Sequence, residues 1–157
     1  MFVGRKCDDI CEIADRLNKN GKIFDGVGME SYYSARDTAA ITDREGRNSL
    51  YRTVLQYHEH GLDVHLSEAT LRIKNNTPEG QAQLEQAYRD FYNVVLDLNK
   101  EETVISVITH WGWKDNAFLL EGEYSYGLAG TFSGFVTYNL LPKPTLQILT
   151  DVLKRSE

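Results

Sequence analysis

Hydrophobic side chains recur at helical spacing in four segments of the chain. The first segment begins near Asp8, whose carboxylate suits a helix N-terminus, and stops before Gly21. The most regular one begins at Thr77-Pro78, a capping residue followed by the residue best tolerated in a first turn. The pattern predicts helices over about 8–20, 48–60, 77–100 and 145–154, with a strand over 49–58 as the alternative for the second.

Alternating apolar and polar positions predict strands elsewhere. Residues 62–67 and 71–73 alternate with opposite parity, which a bulge near Glu68-Ala69 or two short strands would explain. Residues 103–113, 117–126 and 131–139 predict three strands joined by short turns, whereas residues 22–47 predict a long polar loop with one short helix. The predicted fold is α+β, an antiparallel sheet with a C-terminal three-stranded meander packed on one face by helices. It forms a single globular domain over residues 1–157.

The two turns of the meander predict its register. A two-residue turn at Asp115-Asn116 and a three-residue turn ending at Gly130 send the same aromatic side chains to one face. Because a slip of one residue would move every side chain to the other face, this agreement favours the register. The face predicted to lie in the core carries Val107, Trp111, Trp113, Phe118, Leu120, Tyr124, Tyr126 and Phe132.

The opposite face of the meander mixes apolar and polar side chains. Ile108, Leu119 and Phe135 lie among polar residues that include Glu123 and Thr137. A few apolar side chains among polar groups are typical of a binding face. The alternative is a face covered by the chain's own loop or helix. If the N-terminal helix docks elsewhere, the three apolar side chains predict a protein partner or self-association.

His110 and Glu121 lie opposite each other in the same register. A carboxylate can fix the tautomer of an imidazole and raise its basicity for general base catalysis. The alternative is an ordinary cross-strand pair, since no nucleophile elbow, phosphate loop or aspartate pair accompanies the two residues. This pair supports a second hypothesis, a small hydrolase or lyase-like enzyme.

Neither of two other groups of residues has the pattern of a ligand-binding site. The spacing of His58, His60 and His65 matches no zinc signature, and the segment around Gly26 and Gly28 lacks the lysine of a phosphate-binding loop. The sequence therefore predicts neither a metal site nor a cofactor.

Composition narrows the class of partner and the compartment. Seventeen Lys and Arg against 23 Asp and Glu give a net charge of −6, which disfavours nucleic acid. Cys7 and Cys11 form no disulfide framework, and no apolar run reaches the roughly 20 residues that span a bilayer. A soluble, acidic cytoplasmic protein is expected. The leading hypothesis is a non-catalytic binding protein (adaptor, inhibitor or oligomer subunit) acting through the mixed face and the charged loop 36–47.

Overall fold

Helices and strands alternate along the chain. The computed structural model describes residues 3–46, 48–73, 76–115 and 132–155, with side chains from residue 6 onward. The elements are α1 (Val3–Asn18), β1 (Gly26–Ser34), α2 (Ala39–Thr42), α3 (Leu50–Glu59), β2 (Asp63–Arg72), α4 (Pro78–Leu98), β3 (Ile105–His110) and α5 (Pro144–Arg155).

The three strands form one parallel sheet in the order β1-β2-β3. Parallel neighbours require a crossover of a dozen or more residues, which α3 and α4 provide. The predicted antiparallel α+β fold is therefore wrong. The prediction paired each C-terminal strand with the next strand in sequence through a short turn. The partner of β3 is instead β2, which precedes the whole of α4, so the residues of a turn cannot indicate this pairing.

The predicted meander is not present in the described part of the chain. Its second strand, 117–126, lies outside the described residues, as does residue 131 of its third. From residue 132 onward the third segment forms only isolated bridges, Lys114 with Val136 and Val136 with Pro142.

Three of the predicted helices lie close to where the periodicity places them, and side chains cap two of these. The fourth, α1, begins at Val3, so the prediction that it begins near Asp8 is wrong. Ser49 Oγ accepts a hydrogen bond from Arg52 N, and Thr77 Oγ1 accepts one from Gly80 N, each at 3.1 Å. These bonds satisfy backbone donors that a first turn leaves free. No helix among the described residues is long and apolar enough to cross a membrane.

Strand β1 lies inside the segment predicted to be a polar loop. Val27, Met29 and Tyr33 pack against the core at alternate positions, and Ser31 between them is buried. The alternation of buried and exposed positions is hard to see in the sequence because Gly26 and Gly28 interrupt it. Gly26 allows β1 and β2 to pack closely, since a Cβ there would lie 2.7 Å from the carbonyl oxygen of Asp63.

Strand β2 carries the core of the sheet and the predicted bulge. Val64 and Leu66 are buried before the register shift, and Ala69 and Leu71 are buried after it. Met29 pairs with Leu66 but the next residue of β1 pairs with Glu68, so Ser67 is the extra residue. This confirms the bulge predicted near Glu68-Ala69. The bulge lets both apolar pairs face the helices and leaves Glu68 on the opposite face.

Candidate active site

His110, the predicted general base, lies between β3 and α4. Its ring centroid is 4.8 Å from that of Phe135, and the hydroxyl of Tyr92 is 2.7 Å from Nε2. Burial lowers the pKa of His110 to about 4, which the nearby backbone of Ala69 offsets only in part, and no hydrogen bond of normal geometry reaches Nδ1. The imidazole is thus neutral near pH 7 and half-buried between α4 and Phe135. Its predicted partner Glu121 lies outside the described residues.

The predicted binding face does not form an open surface where it is described. Phe135 is buried against Tyr88 of α4, with ring centroids 5.0 Å apart, and Ile108 packs on the core. Thr137 accepts a hydrogen bond from the backbone N–H of Leu141 at 3.1 Å in a turn. Leu119 and Glu123 lie outside the described residues. Phe135 is therefore buried within the chain and not between chains.

The three histidines near β2 contact three different carboxylates. His58 lies 2.8 Å from Glu102, His60 lies 2.8 Å from Asp15, and His65 lies 3.3 Å from Asp63. Across the described ranges, no group of three His, Cys, Asp or Glu side chains could hold a metal ion.

A carboxylate that the sequence does not mark as functional lies on β2, level with the carboxyl end of β3. Glu68 is half-buried, and the hydroxyl of Tyr32 on β1 donates a hydrogen bond to its Oε2. The guanidinium carbon of Arg72 lies 4.5 Å from the centroid of the Tyr32 ring. Two neighbouring parallel strands thus place an acid, a tyrosine and a cation together. The one signal at this position in the sequence is the parity change that predicts the bulge, and it does not by itself indicate a functional role.

Trp111 and Trp113 lie at the same end of the sheet, just beyond β3. The N–H of Trp111 donates to Ala69 O at 3.0 Å, and its carbonyl accepts from Thr70 Oγ1 at 2.5 Å. The two side chains are 48% and 57% exposed. The prediction that they belong to the core is wrong, because the chain leaves the parallel sheet after His110, and Gly112 turns with a φ of 77°.

A buried ion pair anchors the chain that follows the tryptophans. Lys143 Nζ lies 2.8 Å and 3.0 Å from the two carboxylate oxygens of Asp115, and it also donates to Phe132 O at 3.1 Å. Asp115 Oδ1 accepts a further bond from Gly134 N at 2.9 Å. The pair joins residues 113–115 to residues 132–136 and so fixes the base from which Trp113 projects.

The fold and the site together define a class of protein. Alternating strands and helices, parallel pairing and a polar cluster at the carboxyl ends of the strands are features of a (β/α)8-barrel enzyme. The chain matches glycosyl hydrolase family 10 over residues 3–150, and it belongs to that family. Its sheet is part of such a barrel.

Known proteins resemble the chain in sequence and in structure. It is 30% identical over 112 residues to endo-1,4-beta-xylanase B of Butyrivibrio fibrisolvens, a match that covers 68% of this chain and 16% of that enzyme. The structure of xylanase 10B from Thermotoga maritima superposes with a TM-score of 0.72 at 18% identity, over 96% of this chain and 43% of that one. The structure of xylanase 10B from Thermotoga petrophila in complex with xylobiose superposes with a TM-score of 0.72 at 17% sequence identity. This match covers 96% of this chain and 42% of that one. The chain spans less than half the length of these relatives.

Membership of the family corrects the leading functional hypothesis. Homologues are glycoside hydrolases, so the predictions of a non-catalytic adaptor, inhibitor or oligomer subunit, of a protein partner and of self-association are wrong. The alternative, a hydrolase, agrees with the family. The predicted His–Glu pair, the single domain and the cytoplasmic location stay predictions.

Proposed function

We propose that this chain supplies part of the active site of a glycoside hydrolase that cleaves β-1,4-linked xylan. Glu68 is one of the two catalytic carboxylates that such enzymes use. The observation that carries the proposal is the position of Glu68. It lies on a parallel strand level with the carboxyl end of β3, at the end of the sheet where barrel enzymes place catalytic groups, and a tyrosine hydroxyl holds one of its oxygens.

The geometry leaves Glu68 able to act on a sugar. Tyr32 engages Oε2, so Oε1 is the oxygen that can attack the anomeric carbon or take a proton from a water that does so. The other carboxylate of the pair protonates the leaving oxygen.

The exposed tryptophans fit the same class of substrate. Xylose rings present apolar C–H faces that pack on flat aromatic rings, while their hydroxyls stay available for hydrogen bonds. Trp111 and Trp113 offer such rings at the edge where Glu68 lies. The relatives are named as xylanases, which supports xylan as the substrate.

The test uses a substrate that isolates the role of Glu68. The 2,4-dinitrophenolate of 2,4-dinitrophenyl β-xylobioside departs without a proton, so turnover does not depend on an acid catalyst. Glu68→Gln is expected to lower kcat/KM by roughly 10²–10⁴-fold. Glu59→Gln, an exposed glutamate at the end of α3, is the control and should leave turnover unchanged.

Two results would contradict the proposal. One is equal turnover by the Glu68→Gln and Glu59→Gln proteins. The other is a preference for the corresponding cellobioside over the xylobioside, which would reject xylan as the substrate while leaving the role of Glu68 in place.

A further inference from the structure

Tyr32 lies between two opposite charges on the neighbouring strand. In the register of β1 and β2, Tyr32 pairs with Thr70, so Glu68 and Arg72 lie two residues to either side of its partner. Its hydroxyl donates to Glu68 Oε2, and its ring face receives the guanidinium of Arg72 at 4.5 Å. One neutral side chain thus contacts both charged groups.

The arrangement restricts the tyrosine as well as the carboxylate. Tyr32 is half-buried, and the stacked guanidinium limits rotation of its ring. The backbone that carries Arg72 is fixed at this point, since its carbonyl accepts from Ala35 N at 2.8 Å. A donor whose own position is fixed holds an acceptor in one orientation at little cost in entropy.

We infer that Tyr32 is a positioning residue for Glu68, and that Arg72 acts through Tyr32 by fixing the plane of its ring. The inference rests on the proposed function of Glu68. Without the hydroxyl, the carboxylate keeps its charge and its place on β2 but loses the orientation that presents Oε1 to the anomeric carbon.

Tyr32→Phe removes the hydroxyl and keeps the ring for Arg72. With 2,4-dinitrophenyl β-xylobioside, kcat should fall by about ten- to a hundred-fold, the cost of a misplaced reacting group, while KM changes by less than about two-fold. Tyr51→Phe is the matched control, because Arg44 lies 4.8 Å from the centroid of that ring on α3, remote from Glu68. It should change neither constant.

A second measurement tests whether Arg72 acts through the tyrosine. Arg72→Met should lower kcat in the wild-type background and have a much smaller effect in the Tyr32→Phe background, since dependent residues are non-additive. Equal effects in both backgrounds would overturn the role of Arg72. All assays are run at a temperature where circular dichroism shows each variant to be folded, so that loss of structure is not read as loss of orientation.

The failures of the two proposals are distinguishable. If Glu68→Gln retains activity, the proposed function fails and the positioning role with it. If Glu68→Gln is inactive but Tyr32→Phe has the kcat of the wild-type protein, only the positioning role is rejected. The positioning role is also rejected if Tyr32→Phe lowers kcat no more than the control Tyr51→Phe does, or if Tyr32→Phe changes KM alone.

Discussion

Tyr32 and Tyr92 lie on opposite faces of the sheet, and the hydroxyl of each contacts a titratable side chain. Tyr32 donates to Glu68 at the carboxyl edge, and Tyr92 lies 2.7 Å from Nε2 of His110 beneath α4. The edge also carries half-exposed tryptophans. The pair under α4 is surrounded by aromatic rings, with Phe91 and Phe135 both within 6.3 Å of the imidazole.

The Tyr32–Glu68 and Tyr92–His110 pairs differ in burial and therefore in role. Desolvation keeps His110 neutral, and burial followed by the charge of Asp115 raises the pKa of Tyr88 beside it. Groups on the helix-covered face are therefore held in one protonation state and contribute to packing. Groups at the edge are open to a ligand. Changes on the covered face should reduce stability, and changes at the edge should reduce activity.

The largest loss of stability should follow from breaking the buried ion pair. Lys143→Met leaves Asp115 buried without its cation, which is expected to lower the free energy of unfolding by about 3–5 kcal/mol. Urea denaturation followed by circular dichroism measures the change.

The control for this substitution is an exposed pair. Lys22→Met removes the partner of Asp25, where the side chains are 57% and 78% exposed, and it should cost less than about 1 kcal/mol. Equal losses in the two variants would mean that burial makes the Asp115–Lys143 pair no more important to stability than a surface pair.

The next effect is a dependence of stability on pH that comes from His110. Its pKa falls from 6.5 in the unfolded chain to about 4 in the folded protein. Above pH 6.5 both states are neutral at this residue and the full stability is present. Between pH 6.5 and about 4 the unfolded state binds a proton that the folded state does not, so stability decreases by about 3 kcal/mol.

His110→Gln separates this contribution from that of the carboxylates. The variant keeps polar atoms near Tyr92 but does not titrate, so its stability should fall less steeply between pH 6.5 and 4 than that of the wild-type protein. Urea midpoints across this range provide the comparison. Parallel curves would show that His110 is not held neutral in the folded protein.

The smallest effect on stability is expected at the edge. Trp111→Ala should cost less than about 1 kcal/mol, because the side chain is 48% exposed. Phe91→Ala, at 1% exposed under the same sheet, should cost about 3–5 kcal/mol. Chemical denaturation of both variants checks the difference. Similar losses would place Trp111 in the core, as the register of the meander predicted.

Local features of the fold could be predicted from the sequence. The capping residues Ser49 and Thr77 begin helices where the apolar period begins, and the parity change in β2 marks a real bulge. Caps, helical periods and bulges depend on residues a few positions apart, so their causes stand next to each other in the chain.

The pairing of the strands and the site were decided by the tertiary structure alone. The turn at Asp115-Asn116 predicted that Trp111 faces the core, but the partner of β3 is β2, more than thirty residues away on the far side of α4. The α4 crossover packs His110 under α4, and the crossover through α3 brings Tyr32 to Glu68 across 36 positions of sequence. The amphipathic helices and the bulge were thus fixed by neighbouring residues. Which face each strand shows to the helices, and which side chains meet at its carboxyl end, depended on packing between segments distant in sequence.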